Sequence, residues 1–345
     1  MPSDGSSHFS DVRSQPLLKH SELPLAVKLI DAVCCLSASG TYLPDLWNGK
    51  DGRRLRAAIK RRDTPKVFDW MMDSFSYQGV SNRAAQSFIN DNGNVTWKQV
   101  AAALPEAPPC PRLASYWTFH GCRYEKAALC CAEPQQLDNC AVPIPKLRNG
   151  KLNQTAFSLY LFIRDVAGGD LVRWIDHILS RGDYNANDLP ASKGDALVGT
   201  MRHIYGVSDK VLTMTLSEIL LAAHSDRPLW FEVGSQMIVI DTLVHNFLHR
   251  TGLLQRFGAE HGYGPACYRE GRCADILRAV SRHIDARRFG SVNPSQFPRF
   301  IQHAVWQYCA SEGLNVCNGN NIDDSKSCVN IYCKIISKCD RKSLL

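Results

Sequence analysis

The last part of the chain carries four cysteines whose spacing suits a metal site. They follow the pattern C-x10-C-x4-C-x5-C in a short, polar segment that is also rich in lysine. Four thiolates can hold a 4Fe–4S cluster, with one cysteine on each iron, and they can also hold a zinc ion. The candidate ligands are Cys317, Cys328, Cys333 and Cys339. We expect a structural role for the metal, because so polar a segment does not fold without such a staple.

A second group of cysteines lies in residues 104–145, a stretch rich in proline and poor in helical periodicity. The whole chain has 14 cysteines in 345 residues, and in a reducing compartment such enrichment indicates metal rather than disulfides. The spacings in this stretch fit no standard zinc pattern. A second metal site, holding zinc or another cluster, is still a candidate here, with the ligands Cys110, Cys122, Cys131 and Cys140.

Two helical runs joined by a tight turn form the segment around which the other elements are arranged. Apolar residues recur at helical spacing in residues 197–204 and again in 210–221. The stretch Tyr205–Asp209 interrupts the pattern and contains a glycine. A helix, a short turn and a helix make a helical hairpin. Free N–H groups at the start of its second helix suit a phosphate oxygen.

An acidic residue opens a helix farther along the chain. The apolar run Met237–Ile240 leads into Asp241, whose carboxylate can cap the helix that follows. The last turn of that helix is basic, and a glycine, Gly252, follows it. Taken alone, Asp241 is explained as a cap, and Lys210 in the hairpin as a surface lysine.

Basic residues concentrate in Lys50–Arg62, among few apolar ones. This strip is either a solvated helix face or a set of phosphate contacts, and both interpretations stay open. The formal net charge of +7 favours a polyanionic partner only weakly. The candidate contacts are Arg53, Arg54, Lys60 and Arg61.

The hairpin and the acidic segment resemble those of one enzyme family. Gly206–Val211 resembles the hairpin of the helix-hairpin-helix DNA glycosylases, the endonuclease III and 8-oxoguanine glycosylase superfamily, and Ile240–Val244 resembles their catalytic segment. The resemblance implies that Asp241 is the catalytic acid and Lys210 the Schiff-base lysine of bifunctional members. It also implies that Gly206 and Ser208 contact DNA.

Two features depart from the family pattern. Ser208 stands where the family keeps a second glycine, and the interval from Lys210 to Asp241 is 31 residues, longer than usual. We therefore expect that the extra segment His224–Gln236 loops out, or that the assignment of either Lys210 or Asp241 is wrong.

Two more segments are similar to parts of the same family. Val67–Asn90 resembles its first core segment, in which Gln78 would wedge into the gap left by an extruded base. An equally good interpretation is that Gln78 is an ordinary polar turn residue. The cysteine tail resembles the family's C-x6-C-x2-C-x5-C loop in its position and its last interval. This favours a 4Fe–4S cluster, with zinc, or free or disulfide-bonded thiols, as the alternatives.

Helical periodicity without strand-like alternation predicts an all-α chain. The resemblance implies two helical domains that flank a DNA-binding cleft. We expect a leader at 1–22, a domain formed by 23–65 and 237–345 with the cluster loop, and a bundle at 66–236. The bundle would contain the cysteine-rich insertion (104–145) and the helix-hairpin-helix (197–221).

The function expected from this resemblance is excision of a damaged or modified base from double-stranded DNA, with AP-lyase activity through Lys210. The alternatives are a monofunctional glycosylase that uses water and a catalytically silent DNA-binding protein. A redox protein is a weaker alternative, because nothing resembles a flavin or nicotinamide site. We expect a cytoplasmic monomer, nucleoid-associated in a prokaryote. The opening residues do not resemble a signal peptide, and the sequence has no apolar run of about 18 residues that would predict a membrane span.

Overall fold

The structure is a computed structural model that describes residues 20–37, 42–78, 82–125, 128–143, 151–181 and 189–345. Most of the predicted leader, residues 1–19, lies outside these ranges, as does Gly79–Ser81 just after the predicted wedge glutamine. The described chain is overwhelmingly helical, and the prediction of an all-α fold is confirmed at this level.

The helices follow the predicted periodicity closely. In chain order they are α1 (Leu23–Ser37), α2 (Tyr42–Asn48), α3 (Lys50–Arg61), α4 (Thr64–Phe75), α5 (Asn82–Asn92), α6 (Trp97–Ala103), α7 (Tyr116–Phe119), α8 (Lys151–Asp165), α9 (Leu171–Ser180), α10 (Leu189–Met201), α11 (Asp209–Ala222), α12 (Pro228–Gln236), α13 (Thr242–Arg250), α14 (Leu253–Arg256), α15 (Cys273–Ser281) and α16 (Pro298–Cys309). No single helix among the described residues is long and apolar enough to cross a membrane; by length and composition, only α1 and α2 taken as a bent pair would be.

A small antiparallel hairpin was not expected from the sequence. Strands β1 (Tyr124–Glu125) and β2 (Cys130–Cys131) pair within the cysteine-rich insertion, with Tyr124 opposite Cys131. Strands of two residues are too short to produce a detectable alternation of apolar and polar side chains.

The described residues divide into two compact units whose limits differ from the predicted domain limits. The first unit contains α1, Ile240–Ile284 and His303–Leu345. The second contains the described residues of Ala38–Val239 together with Asp285–Gln302. Helices α2 and α3 therefore belong to the second unit, although the sequence groups them with the C-terminal half.

The core of the second unit contains α4, most of which lies in the segment Val67–Asn90 that resembles the family's first core segment. Phe68, Met71, Met72 and Phe75 on α4 are all buried, as their spacing predicts. Asp63 caps α4 by accepting the Lys66 N–H at 3.3 Å. Helix α4 packs on α3, α6, α8 and α9, so it lies at the centre of this unit.

The segment between the hairpin and Asp241 does not loop out, which corrects the prediction for His224–Gln236. Residues 228–236 form α12, which packs tightly along α11. The Ser217 hydroxyl donates to the Gly234 carbonyl at 3.0 Å. A Cβ atom on Gly234 would lie 2.9 Å from Leu220 Cβ, so only glycine permits this close approach. An additional packed helix accounts for the long interval between Lys210 and Asp241.

The first unit is built around α1, α13, α15 and the part of α16 from His303 onward. Helix α1 packs on α15, and the Ser37 hydroxyl donates to the Ala304 carbonyl on α16 at 2.7 Å. The sequence predicts Cys34 and Cys35 as core thiols. Cys34 is buried, but Cys35 is exposed, because adjacent positions on a helix point about 100° apart.

Candidate functional site

A short turn joins α10 and α11 at the place where the sequence predicts the hairpin. Gly206 has φ +73°, a left-handed conformation that glycine adopts without strain. Ser208 caps α11 by accepting the Val211 N–H at 3.4 Å, so one of the free donors expected for phosphate is already used. Lys210 is half-buried in the first turn of α11. Beside it, Asp209 is paired with Arg202 at 2.9 Å.

Side chains from other helices of the same unit hold the turn in place. The Ser158 hydroxyl accepts the Tyr205 N–H at 3.0 Å, and the Thr155 hydroxyl donates to the Tyr205 carbonyl at 2.8 Å. Gln78 Nε2 donates to the Gly206 carbonyl at 2.6 Å. The predicted wedge residue therefore contacts the predicted hairpin, although the two lie far apart in sequence.

The basic strip is the exposed face of α3. Leu55, Ala58 and Ile59 are buried on the opposite face, which fixes the orientation of the helix. Some of its charges have protein partners: Arg54 lies 3.8 Å from Asp51, and Lys60 lies 3.9 Å from Asp226. Exposed pairs of this kind are weak and can be exchanged for phosphate. The four predicted contacts, Arg53, Arg54, Lys60 and Arg61, are all exposed.

Asp241 caps α13, as predicted. Its carboxylate accepts the Val244 N–H at 2.9 Å, and its side chain is half-buried. The residues on either side of it are held from the segment after α14. The Tyr268 hydroxyl accepts the Ile240 N–H at 2.9 Å, and Tyr263 hydrogen-bonds the Thr242 side chain. The carboxylate is therefore carried on a backbone that is fixed on both sides.

The four tail thiols line one cavity in the first unit. Cys317, Cys328, Cys333 and Cys339 share it with Arg250, and several apolar side chains complete its wall. Burial raises the pKa of Cys339 to about 12, and burial also raises the pKa of Cys333. A hydrogen bond with Cys309, helped by the charge of Arg250, lowers the pKa of Cys317.

Hydrogen-bond donors surround these sulfurs. The Asn330 N–H donates to Cys328 Sγ at 3.5 Å, and the Arg341 N–H donates to Cys339 Sγ at 3.3 Å. The Tyr308 hydroxyl lies 3.2 Å from Cys333 Sγ. Donors aimed at sulfur favour the thiolate, which is the form that binds metal.

Arg250 brings a buried positive charge to the same cavity. Its side chain is almost fully buried, and one of its terminal nitrogens pairs with Asp324. Within the described chain, its Nε and Nη1 atoms have no hydrogen-bond partner. A buried cation without full pairing is costly unless negative charge lies nearby. Four metal-bound thiolates would supply that charge.

The insertion also gathers the four cysteines that the sequence proposes. Burial raises the pKa of Cys140 to about 11, and the nearby thiols of Cys110, Cys122 and Cys131 add to the shift. The Glu133 N–H donates to Cys131 Sγ at 3.5 Å. The second metal site stays a prediction, because among the described residues these four thiols do not form a ligand group compact enough to hold a metal ion.

Two histidines and two cysteines converge at a place that the sequence patterns do not single out. Ligand atoms of His245, His261, Cys267 and Cys273 all lie within 4.8 Å of one another, so the four could hold a metal ion. His245 Nδ1 lies 3.5 Å from each sulfur, and His261 Nε2 lies 3.4 Å from Cys273 Sγ. A hydrogen bond with Cys273 lowers the pKa of Cys267.

This cluster escapes sequence analysis because its ligands come from separate elements. Cys267 and Cys273 have five residues between them, and both histidines lie upstream at irregular intervals. The signal that could have found it is the mixture of histidine and cysteine in residues 245–273, which a search among cysteines alone misses.

The structure brings together some of the predicted site residues. Gln78 contacts Gly206, and the four tail thiols share a cavity. Lys210 belongs to the second unit and Asp241 to the first. No protein-family model matches this chain, and no curated protein or solved structure matches it.

Proposed function

We propose that the protein is a helix-hairpin-helix DNA glycosylase that extrudes and excises a damaged or modified base from double-stranded DNA. It would act as a monomer in the cytoplasm, on nucleoid DNA in a prokaryote. The observation that carries the proposal is the hairpin. Gly206 turns the chain in the left-handed conformation, and Lys210 follows in the first turn of α11. The contact of Gln78 with the Gly206 carbonyl gives further support.

Asp241 is the proposed catalytic acid. Loss of a base develops positive charge on the deoxyribose, and a carboxylate beside the sugar stabilises that charge. The target nucleotide must first leave the base stack, since its glycosidic bond is not accessible inside a duplex. The fixed backbone around Asp241 suits this role, because a preorganised charge needs little rearrangement during the reaction.

Lys210 is the proposed nucleophile of a bifunctional enzyme. Its neutral amine would bond to C1′ while the base departs with the electrons of the glycosidic bond. The adduct would open to an imine, from which the 3′ phosphate is eliminated as the strand breaks. The half-buried position of Lys210 leaves its amine available at the start of α11.

A 4Fe–4S cluster is the proposed occupant of the tail cavity. The tail thiols do not form a tight ligand group of the kind seen at His245, even though all four line one cavity. A cluster is larger than a single ion and takes one cysteine on each iron, so it needs thiols that are farther apart. Arg250 offsets the negative charge of such a cluster.

Base release and borohydride trapping test this proposal. Duplex oligonucleotides would each carry one oxidised, deaminated, alkylated or otherwise modified base, and each would be incubated with purified protein. We expect free base from at least one duplex, and a stable protein–DNA adduct when borohydride is present. Binding without base release on the whole panel would favour the alternative, a catalytically silent DNA-binding protein.

Lys210→Gln separates the two kinds of glycosylase. If Lys210 is the nucleophile, the variant loses adduct and strand cleavage together, far beyond the loss from removing one phosphate contact. Lys66→Gln is the matched control, since Lys66 also lies in the first turn of a helix, α4. Base release at an unchanged rate in Lys210→Gln, without any adduct, would indicate a monofunctional enzyme that uses water.

A further inference from the structure

We propose that His245, His261, Cys267 and Cys273 bind one zinc ion that fixes the backbone around Asp241. The site is separate from the tail cavity, and no ligand is shared between the two. The inference rests on ligand geometry and does not depend on the proposed DNA chemistry.

The distances match a tetrahedral zinc site. Zinc lies about 2.3 Å from a cysteine sulfur and about 2.0–2.1 Å from a histidine nitrogen, so tetrahedral geometry separates these atoms by about 3.5 Å. The three observed sulfur–nitrogen distances are 3.5, 3.5 and 3.4 Å. A two-iron cluster with the same ligand types places its cysteines and histidines on different irons, which requires larger separations. A single ion therefore fits and a cluster does not.

A hydrogen bond to the backbone orients His261 so that its Nε2 atom can bind a metal. His261 Nδ1 lies 2.6 Å from the Ala259 carbonyl, so Nδ1 carries the proton and donates it. This leaves the lone pair of Nε2, the atom that faces Cys273, free for a metal. Ligand histidines in zinc sites are commonly oriented by such a bond to a backbone carbonyl.

Four protein ligands indicate a structural role. Two histidines and two cysteines complete a tetrahedral shell and leave no open position for water or substrate. Three of the four side chains are buried, and His261 is half-buried. The ligands come from α13, the segment after α14, the turn Pro265–Tyr268 and the start of α15, so one ion joins four elements.

The segment that carries His261 and Cys267 also holds the two residues on either side of Asp241. Tyr268, next to the ligand Cys267, accepts the Ile240 N–H at 2.9 Å. Tyr263 hydrogen-bonds the Thr242 side chain, and His245 lies on α13 one turn after its cap. Zinc would therefore restrict the start of α13 through both the helix and the tyrosine segment.

Metal analysis of the full-length protein tests the site. We expect His261→Asn and Cys273→Ser each to contain one zinc fewer per chain than the wild type, with iron unchanged. His283→Asn is the control, because His283 is exposed in the same unit and lies outside the cluster. Zinc content that is unchanged in both site variants, or lowered equally in the control, would overturn the proposal.

Hydrogen exchange of the wild-type protein provides a test that needs no variant. A zinc chelator should accelerate amide exchange in residues 237–250, and added zinc should restore protection. The control region is α4, in the core of the second unit, where exchange should not change. Exchange in residues 237–250 that is the same with and without chelator would contradict a zinc ion that fixes this segment, even if a site variant failed to fold.

Discussion

Arg250 places a positive charge against four thiols and leaves two of its nitrogens without a partner among the described residues. Protonated thiols are neutral and give this charge little compensation, whereas thiolates bound to iron carry net negative charge. The Asp324 carboxylate, which is half-exposed, compensates this charge only in part, and burying a partly compensated ion costs free energy. If the tail cavity holds the proposed 4Fe–4S cluster, the metal-free protein is expected to be less stable than the metal-bound protein.

Cys328→Ala tests the tail site at the scale of one ligand. We expect anaerobically purified wild type to be brown with broad visible absorbance, and Cys328→Ala to lose the iron, the colour and much of its solubility. Because bound metal must displace thiol protons, iron retention should also weaken as the pH falls.

Cys35→Ala is the control for this change, since Cys35 is an exposed thiol outside every group of candidate ligands. Iron and visible absorbance are the quantities to measure. Colourless wild type that contains one zinc at the tail, or no metal, would exclude the cluster.

At the scale of elements, α13 is attached to other segments at both ends. Its start carries the Asp241 cap and His245, and the tail lies against its end. The Arg250 carbonyl accepts the Lys342 N–H at 2.9 Å, and the Thr251 carbonyl accepts the Asp340 N–H at 3.3 Å. Asp340 also pairs with Arg256 at 2.6 Å. The helix that presents the candidate acid is therefore braced by the tail.

Gly252→Ala is predicted to loosen this attachment. Gly252 has φ +78°, and a Cβ atom there would overlap the Asp340 carboxylate. Gly258 has φ +66° with nothing within 4 Å, so Gly258→Ala measures the backbone strain alone, about 1–2 kcal/mol. Gly252→Ala should reduce the free energy of unfolding by clearly more than Gly258→Ala and should retain less iron. Denaturant unfolding measures the loss of free energy, and metal analysis measures the retained iron. Equal effects of the two substitutions would show that the tail does not depend on this contact.

Local periodicity carries most of the information about these helices. The spacing of Phe68, Met71, Met72 and Phe75 predicts the buried face of α4, and Asp241 after the apolar run Met237–Ile240 predicts a cap. The long interval between Lys210 and Asp241 predicts a loop and not α12, because the close approach of α12 to α11 depends on a tertiary contact at Gly234. The β hairpin in the insertion is too short to have a sequence pattern.

At the scale of the whole molecule, the net charge of +7 and the exposed strip on α3 should make DNA binding sensitive to salt. Each phosphate contact contributes about 0.9 to the slope of log affinity against log salt. We expect the double variant Arg54→Glu and Arg61→Glu to bind more weakly and to reduce that slope by about 2. The double variant Lys28→Glu and Lys98→Glu, at exposed lysines on α1 and α6, makes the same change in net charge and is the control. If the strip variant leaves the salt slope unchanged, the strip is a solvated helix face and not a set of phosphate contacts.

The candidate metal sites differ in how far the sequence could predict them. The tail ligands lie close together in the chain, so their spacing alone is enough to group the four thiols. The ligands around His245 come from four elements and meet only after folding. Their geometry depends on tertiary packing, which spacing along the chain does not encode.

Asp241→Asn is the most direct test of the central claim that Asp241 drives base excision. Asparagine caps a helix about as well as aspartate, so the bond to the Val244 N–H and the fold should persist. The substitution removes the charge that the transition state requires, and such losses reduce rates by about 10²–10³ or more.

The measurement is the rate of single-turnover base release from the preferred duplex. DNA affinity is measured in parallel. We predict that Asp241→Asn loses at least about 10²-fold in rate and binds DNA within a few-fold of wild type. Asp63→Asn, which changes another helix-capping aspartate, should leave the rate unchanged. Near-full excision by Asp241→Asn would contradict the account and place the catalytic acid elsewhere.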